Sequence, residues 1–358
     1  MAYLLLHPED LEGTVDMADA IDAIERAYGE AATFPVVNAP RQRIHSPEGI
    51  RFNTFPGGIP GLNVIGVVEH AERLIQDGDR QLFADREHQI CLLHDASNSQ
   101  LLGILIGAIS ERSLGYTTQT ALRTGATSGV GFKHMARENA EVCALFGAGD
   151  QAVTQLFALT RVRPIREVRL CTRTEASRLR FAQTYGPKFG VEIRPMDDPQ
   201  AAIRGADVVV AATNTNVPVI KGAWLEPGQH VSSIVGSNIA LVKAGWLDAP
   251  RRELDDDVIA RADVIAVNSR EQIIKDEQGD LFQPIEAGIV TMEEIAELGE
   301  VANGSRPGRT AIDQITLHKN NAGLGVADIA VAHVAFERAK ADGKGRWIEL
   351  GPVPDEGA

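Results

Sequence analysis

Between residues 142 and 268, short apolar and β-branched runs alternate with stretches whose apolar positions follow a helical period. "VCALF" leads into "DQAVTQLFALTRV", "EVRLCT" into "EASRLRFAQTYG", and "VEIRP" into "DDPQAAIRGA". Then come "DVVVAAT", "HVSSIVG" and, after "DDDVIARA", "DVIAVN". Apolar strands separated by amphipathic helices predict a parallel sheet covered on both faces. The first 130 residues follow another pattern. "DMADAIDAIERAYGEA" predicts a helix with Met17, Ile21, Ile24 and Tyr28 on one face and Asp16 as its N-cap. Gly- and Pro-punctuated strands follow, and "QICLLHDASNSQLLGILIG" predicts a hairpin turning at "DASNSQ". "VADIAVAHVAFERAKADGKG" predicts a late helix, stopped by Gly343, that packs back on this N-terminal region.

Composition narrows the class. The chain has 358 residues, 44% hydrophobic and 23% charged, with a net charge of −14. This profile fits a soluble globular protein and argues against nucleic acid as a partner, because phosphate neutralisation needs clustered Lys and Arg. Cys91, Cys143 and Cys171 form no CxxC pair and are expected as buried free thiols in a reducing, cytoplasmic compartment. "MAYLLLHPEDLEG" lacks the basic start of a signal peptide, and "LLGILIGAI" is too short to span a bilayer, so no membrane association is expected. The nine histidines show no metal-ligand spacing, His88 and His94 read as surface residues, and no metal is expected.

The most specific chemistry begins after "VCALF". Gly147, Gly149 and Ala152 fit G-x-G-x-x-A. Gly147 makes the tight turn, Gly149 admits a pyrophosphate, and Ala152 lets helix and sheet pack closely. The pyrophosphate then sits on a helix N-terminus, where free N–H groups and the dipole favour anions. In NAD-binding folds the second strand ends in an acid that binds the ribose. Here that tip reads Thr172-Arg173-Thr174, with Arg178 one turn on. These residues suit a 2′-phosphate, so NADP(H) is preferred and NAD(H) is the alternative. A competing reading makes Arg173 and Arg178 solvated helix-end charges. Arg123, in "TALRTGATS", is a candidate grip for a carboxylate or phosphate.

Other stretches join these: "APRQR" (39–43), "GADVVVAATNT" (205–215), "PRRELDDDV" (250–258), "GD" (279–280), "ELGEV" (297–301) and "HKNNAGLGVAD" (318–328). In this order the set resembles the ornithine cyclodeaminase/μ-crystallin family across nearly the whole chain. The resemblance implies an α/β fold: a doubly wound Rossmann domain over 130–315, and a second α/β domain from both chain ends, 1–129 and 316–358. The second domain would bind substrate and form a homodimer. It implies hydride exchange between nicotinamide and the Cα of a small imino or amino acid. Arg41 and Arg123 match the arginines that hold the substrate carboxylate. Thr124 and Gly147, Ala148, Gly149, Asp150 and Gln151 match the pyrophosphate site. Thr172, Arg173 and Thr174 match the NADP-type strand end. Thr213 and Asn214 match the loop beside the nicotinamide ribose, Val235, Gly236, Ser237 and Asn238 the loop over the nicotinamide, and Lys319, Asn320 and Gly323 a second loop lining that site.

Two departures carry weight. The family's "G-[FL]-K" lysine falls at Asn63 in "GLNVIG", and its "G-[GA]-D" aspartate falls at Asn238 in "VGSN". Asn is no acid or base at neutral pH, so Glu69 or His70 in "VVEHAE" becomes the expected proton donor. The leading expectation is an NADP(H)-dependent imine reductase. The alternatives are an NAD-dependent cyclodeaminase that releases ammonia and a non-catalytic NADPH-binding protein.

Overall fold

A computed structural model describes residues 2–34, 37–77, 80–86, 88–237, 239–243, 245, 248–321 and 323–351. The alternating pattern becomes an eight-stranded, wholly parallel sheet. Its strands run in the order Glu192–Met196, Glu167–Cys171, Val142–Phe146, Val208–Ala211, His230–Ser233, Thr316–Lys319, Val264–Val267 and Ile295–Glu297. The order reverses between Val142–Phe146 and Val208–Ala211, and ligands of doubly wound sheets bind outside the strand ends at such a point. Thr316–Lys319 lies inside this sheet, which therefore extends past the expected boundary at 315. The boundary at 129 falls within one continuous helix, Gln119–Met135, capped by Thr118.

The second sheet is mixed and contains both chain ends. Its order is Arg346–Glu349, Ala2–Leu6, Leu101–Ile106, Ile90–Asp95, Val64–Asp77, Ile50–Ile59 and Gln42–His45, with Arg80–Arg86 also pairing on Val64–Asp77. The turn at "DASNSQ" joins Ile90–Asp95 to Leu101–Ile106 as an antiparallel hairpin. Met17–Thr33 is a helix with Met17, Ile21, Ile24 and Tyr28 buried, and Asp16 accepts from the N–H groups of Ala18 and Asp19.

Strand alternation gives this sheet two different faces. Leu4, Leu105, Leu93, Val68 and Phe55 are buried on the inner face. Met17–Thr33 and the late helix Gly325–Ala341 pack against the sheet. On the outer face Leu5, Ile104, Leu92, Val67 and Pro56 line up across five strands and are only partly buried. All three cysteines are buried free thiols. No helix among the described residues is long and apolar enough to cross a membrane.

Candidate active site

A glycine turn forms where the strand order of the parallel sheet reverses. Gly147 has φ +113°, and a Cβ there would lie 2.1 Å from the Ala212 carbonyl oxygen on the neighbouring strand. Only glycine fits that turn. Gly149 then caps the helix Asp150–Val162 with no side-chain partner, and nothing lies within 4 Å of the position its Cβ would take. Ala148 is packed against the core beneath, Asp150 is exposed in the first helical turn, and the Gln151 Oε1 is buried without a partner among the described residues. An open backbone concavity, an uncapped helix N-terminus and an orphaned polar atom fit a dinucleotide pyrophosphate.

At the next strand tip no acid is present. Thr174 caps the following helix through its hydroxyl, 3.3 Å from the Ser177 N–H. The Thr172 hydroxyl lies 2.6 Å from Ser177 Oγ, and Arg178 donates to the Thr172 carbonyl at 2.7 Å. Arg173 is exposed beside them.

On the far side of the switch point, three loops meet in a fully buried ionic knot. Lys319 Nζ donates to Asp280 at 2.6 Å, Ser233 Oγ at 2.8 Å and the Val235 carbonyl at 2.9 Å. Asp280 accepts from the N–H groups of Glu253 and Leu254. The Glu253 carboxylate accepts from the N–H and hydroxyl of Thr213, from Ser233 Oγ, and from the N–H groups of Ile234 and Val235. Lys319, Asp280 and Glu253 have no solvent exposure. This knot sets the course of the 213–215 and 234–237 loops. Thr213 and Lys319 are therefore engaged within the protein, whereas Asn214 is exposed and Gly236 borders open space. The Ser237 hydroxyl donates to the Asp276 carbonyl. Asn238 lies outside the described residues.

Asn320 ties this region to the central helix. Its amide donates to the Thr124 carbonyl and to Ser128 Oγ, both at 3.0 Å. Arg123, one residue before Thr124, is nine-tenths buried. Its Nε donates to Asp328 at 3.1 Å, and one terminal nitrogen donates to Thr124 Oγ1 at 2.9 Å. Burial pushes the Asp328 carboxyl up, although Arg123 opposes the shift. A Cβ on Gly323 would lie 2.4 Å from the remaining terminal nitrogen of Arg123, so the arginine needs glycine there to lie against the backbone.

Arg41 enters the same cleft from the mixed sheet. It pairs with Asp276, its Nε is buried without a partner among the described residues, and it feels the positive charges of Arg43, Arg123 and Arg51. Burial is the larger influence and holds its guanidinium well below the ordinary arginine range. Beside it, Arg43, Asn53 and His70 are consecutive partners across three strands. His70 stacks on Phe55 at 5.6 Å, with its Nε2 3.3 Å from Asn53 Nδ2 and 3.8 Å from the buried Glu72 carboxylate.

Two expected residues are not brought to this cleft. Asn63 sits at the exposed tip of the turn after Pro60–Leu62, with φ 53°, and donates to Asp95 at 2.8 Å. Glu69 is adjacent to His70 in sequence, so the strand pleat sends it to the opposite face, where it faces Thr54 and Ile90 across the sheet. Sequence reasoning missed Arg43, Arg51, Asn53, Glu72 and Asp276 as cleft residues. It also left Glu253, Asp280 and Asp328 without roles, although they stand in the stretches quoted above. Buried acids interrupting apolar surroundings were the available signal.

A parallel sheet with a glycine turn and an uncapped helix N-terminus at its switch point is the architecture of a dinucleotide-binding fold. The chain belongs to the ornithine cyclodeaminase/mu-crystallin family, which it matches over residues 3–343. It is 35% identical over 348 residues to a putative dehydrogenase of Rhizobium meliloti, covering 96% of this chain and 98% of the relative. It is 38% identical over 297 residues to a Delta(1)-pyrroline-2-carboxylate reductase of Bacillus cereus, covering 83% and 84%. Among solved structures, the Delta(1)-pyrroline-2-carboxylate reductase of Thermococcus litoralis, in complex with NADH and L-proline, superposes with a TM-score of 0.79 at 27% identity, covering 96% of this chain and 99% of that one. An archaeal alanine dehydrogenase dimer with bound NAD gives 0.79 at 26% identity, covering 98% and 100%. These relatives and neighbours are named as reductases and dehydrogenases.

Proposed function

We propose that this protein is a nicotinamide-dependent imine reductase acting on a small imino acid. The observation that carries the reading is the convergence of Arg41, Arg123 and His70 on one cleft beside the loops of the parallel sheet. The Gly147–Gln151 turn holds the pyrophosphate, and the 213–215 and 234–237 loops flank the nicotinamide end. When bound, the reduced cofactor supplies a hydride to the imine carbon. Arg41 and Arg123 fix the substrate carboxylate, each with guanidinium nitrogens left over from Asp276 and Asp328. His70 supplies the proton that balances reduction of C=N to CH–NH. Cyclodeamination is less well served, because the cleft gathers one histidine and no free lysine among the described residues.

The absence of an acid at the 172–174 strand tip, with Arg173 and Arg178 nearby, supports NADP(H) over NAD(H). The apolar outer row of the mixed sheet supports a homodimer closed through that face, the arrangement that buries it. The deciding experiment follows loss of reduced-nicotinamide absorbance with NADPH or NADH and a panel of cyclic imino acids and 2-oxo acid/amine pairs. Turnover with higher kcat/KM for NADPH is expected. Absence of turnover with every pair refutes the reading, and ammonia release from ornithine or lysine under catalytic cofactor replaces it with the cyclodeaminase.

A further inference from the structure

The two arginines of the carboxylate grip are held by different parts of the molecule. Arg123 is held at 3.1 Å by Asp328, on the late helix Gly325–Ala341 that packs against the mixed sheet. Arg41 stands directly before the strand Gln42–His45 of that sheet, yet its partner Asp276 comes from the parallel-sheet unit. Asp276 ends the helix Arg270–Lys275, which follows the parallel strand Val264–Val267. The two side chains are 10% and 13% exposed. A charge pair so far withdrawn from water is costly to break, so the place of Arg41 depends on the place of Asp276.

Asp276 is in turn fastened to the 234–237 loop. Its backbone carbonyl accepts from the Ser237 hydroxyl. Two residues on, the buried Gln278 amide donates to the Val235 carbonyl at 3.2 Å. Between them Glu277 pairs with Lys243 and has φ 42°, a left-handed conformation that residues other than glycine rarely take. Strain of this kind persists where surrounding contacts over-determine it, and such residues concentrate at functional sites. The turn 276–278 thus grips the loop through a carbonyl and an amide, and its Asp276 carboxylate is left for Arg41.

We propose that Asp276 is a positioning residue that makes the hold of Arg41 on the substrate carboxylate depend on a cofactor seated against the 234–237 loop. This rests on the imine-reductase reading. A cofactor that orders the loop fixes the 276–278 turn. The Asp276 carboxylate then fixes one end of the Arg41 guanidinium, and the rest of the guanidinium meets the substrate carboxylate. The effect is reciprocal, so a bound carboxylate tightens the cofactor by the same factor.

The test measures that factor with probes that need no turnover. Oxidised cofactor, NADP⁺ or NAD⁺, is titrated calorimetrically into the whole protein with and without saturating propionate, at constant ionic strength. Propionate is expected to tighten the cofactor by at least about 5-fold, the low end of couplings between sites. Asp276→Asn keeps the backbone carbonyl but removes the charge, and is expected to bring the factor below about 2. Ser237→Ala cuts the link at the loop and should do the same. The double variant should lose no more than either single one, because the two links act in series. A residue that merely supported the fold would weaken both ligands and leave the factor unchanged. No tightening in the wild type overturns the proposal, as does an unchanged factor in the folded variants. If Asp276→Asn does not fold, Ser237→Ala decides. Turnover of an imine without coupling sinks this proposal alone. Coupling that the variants abolish, without turnover of any imine, keeps the role of Asp276 and removes imine reduction.

Discussion

His70 stands between a stacked Phe55 ring, the Asn53 amide and the Glu72 carboxylate, with its Nε2 3.3 Å from the amide nitrogen and 3.8 Å from the carboxylate. His70→Asn keeps a polar group of similar reach but removes the proton. It is expected to lower kcat by about 10²- to 10⁴-fold, the usual contribution of a general acid. The variant should also lose the limb of the pH–rate profile on which activity falls as the histidine deprotonates. Steady-state rates across pH decide this, since a merely structural histidine would lower the rate without flattening that limb. At this scale the sequence was legible for the arginines and half legible for the acid. "VVEHAE" held both candidate donors, but choosing between Glu69 and His70 required knowing which face of the strand is inward. That depends on register with Ile50–Ile59, set by a turn whose Asn63 adopts a left-handed conformation.

Among the elements, the 213–215 and 234–237 loops are ordered by the Lys319–Asp280–Glu253 knot rather than by their own residues. Removing one charge from a buried pair leaves the other without compensation. Asp280→Asn is therefore expected to destabilise the fold by about 3–5 kcal/mol, as measured by denaturant unfolding. The double variant Lys319→Met/Asp280→Asn should recover part of that loss, because the Lys319–Asp280 pair is then removed together while Glu253 keeps its five donors. If the single and double variants are equally unstable, packing rather than charge compensation governs the knot. The strands and helices themselves were readable, because their periods are local. The knot was not, since its residues stand in separate motifs and meet only after the parallel sheet places their loops side by side.

For the whole molecule, two histidines are buried in a state that resists protonation. Burial, reinforced by Lys319, pushes His318 down to about 3, and burial with His318 nearby drives His230 well below its ordinary range. Both pKa values are depressed on folding, so below pH 6.5 the unfolded chain gains protons that the folded one refuses. Stability should fall as pH drops from 6.5 toward 3, with each histidine contributing about 1.4 kcal/mol per unit. His318→Gln should make the stability–pH curve shallower by about that slope over pH 6 to 5, measured by denaturant unfolding. The outer sheet face supplies a second test. Ile104 sits between Leu5 and Leu92 in the middle of that apolar row. Ile104→Arg is expected to yield a folded monomer by analytical ultracentrifugation, and an unchanged dimer would place the interface elsewhere.

The sequence by itself determined the parallel α/β core, the early and late helices, the hairpin, the glycine turn at 147–149 and the family. All of these rest on local periodicity or on contiguous motifs, whose physics acts between near neighbours along the chain. Only the tertiary structure decided which side of each strand faces the cleft, and thereby set aside Asn63 and Glu69. It also brought Asp276, Glu72 and Asp328 against Arg41, Arg51 and Arg123. Charge interactions depend on distance and burial, and those quantities are fixed by register and sheet packing rather than by spacing in the chain.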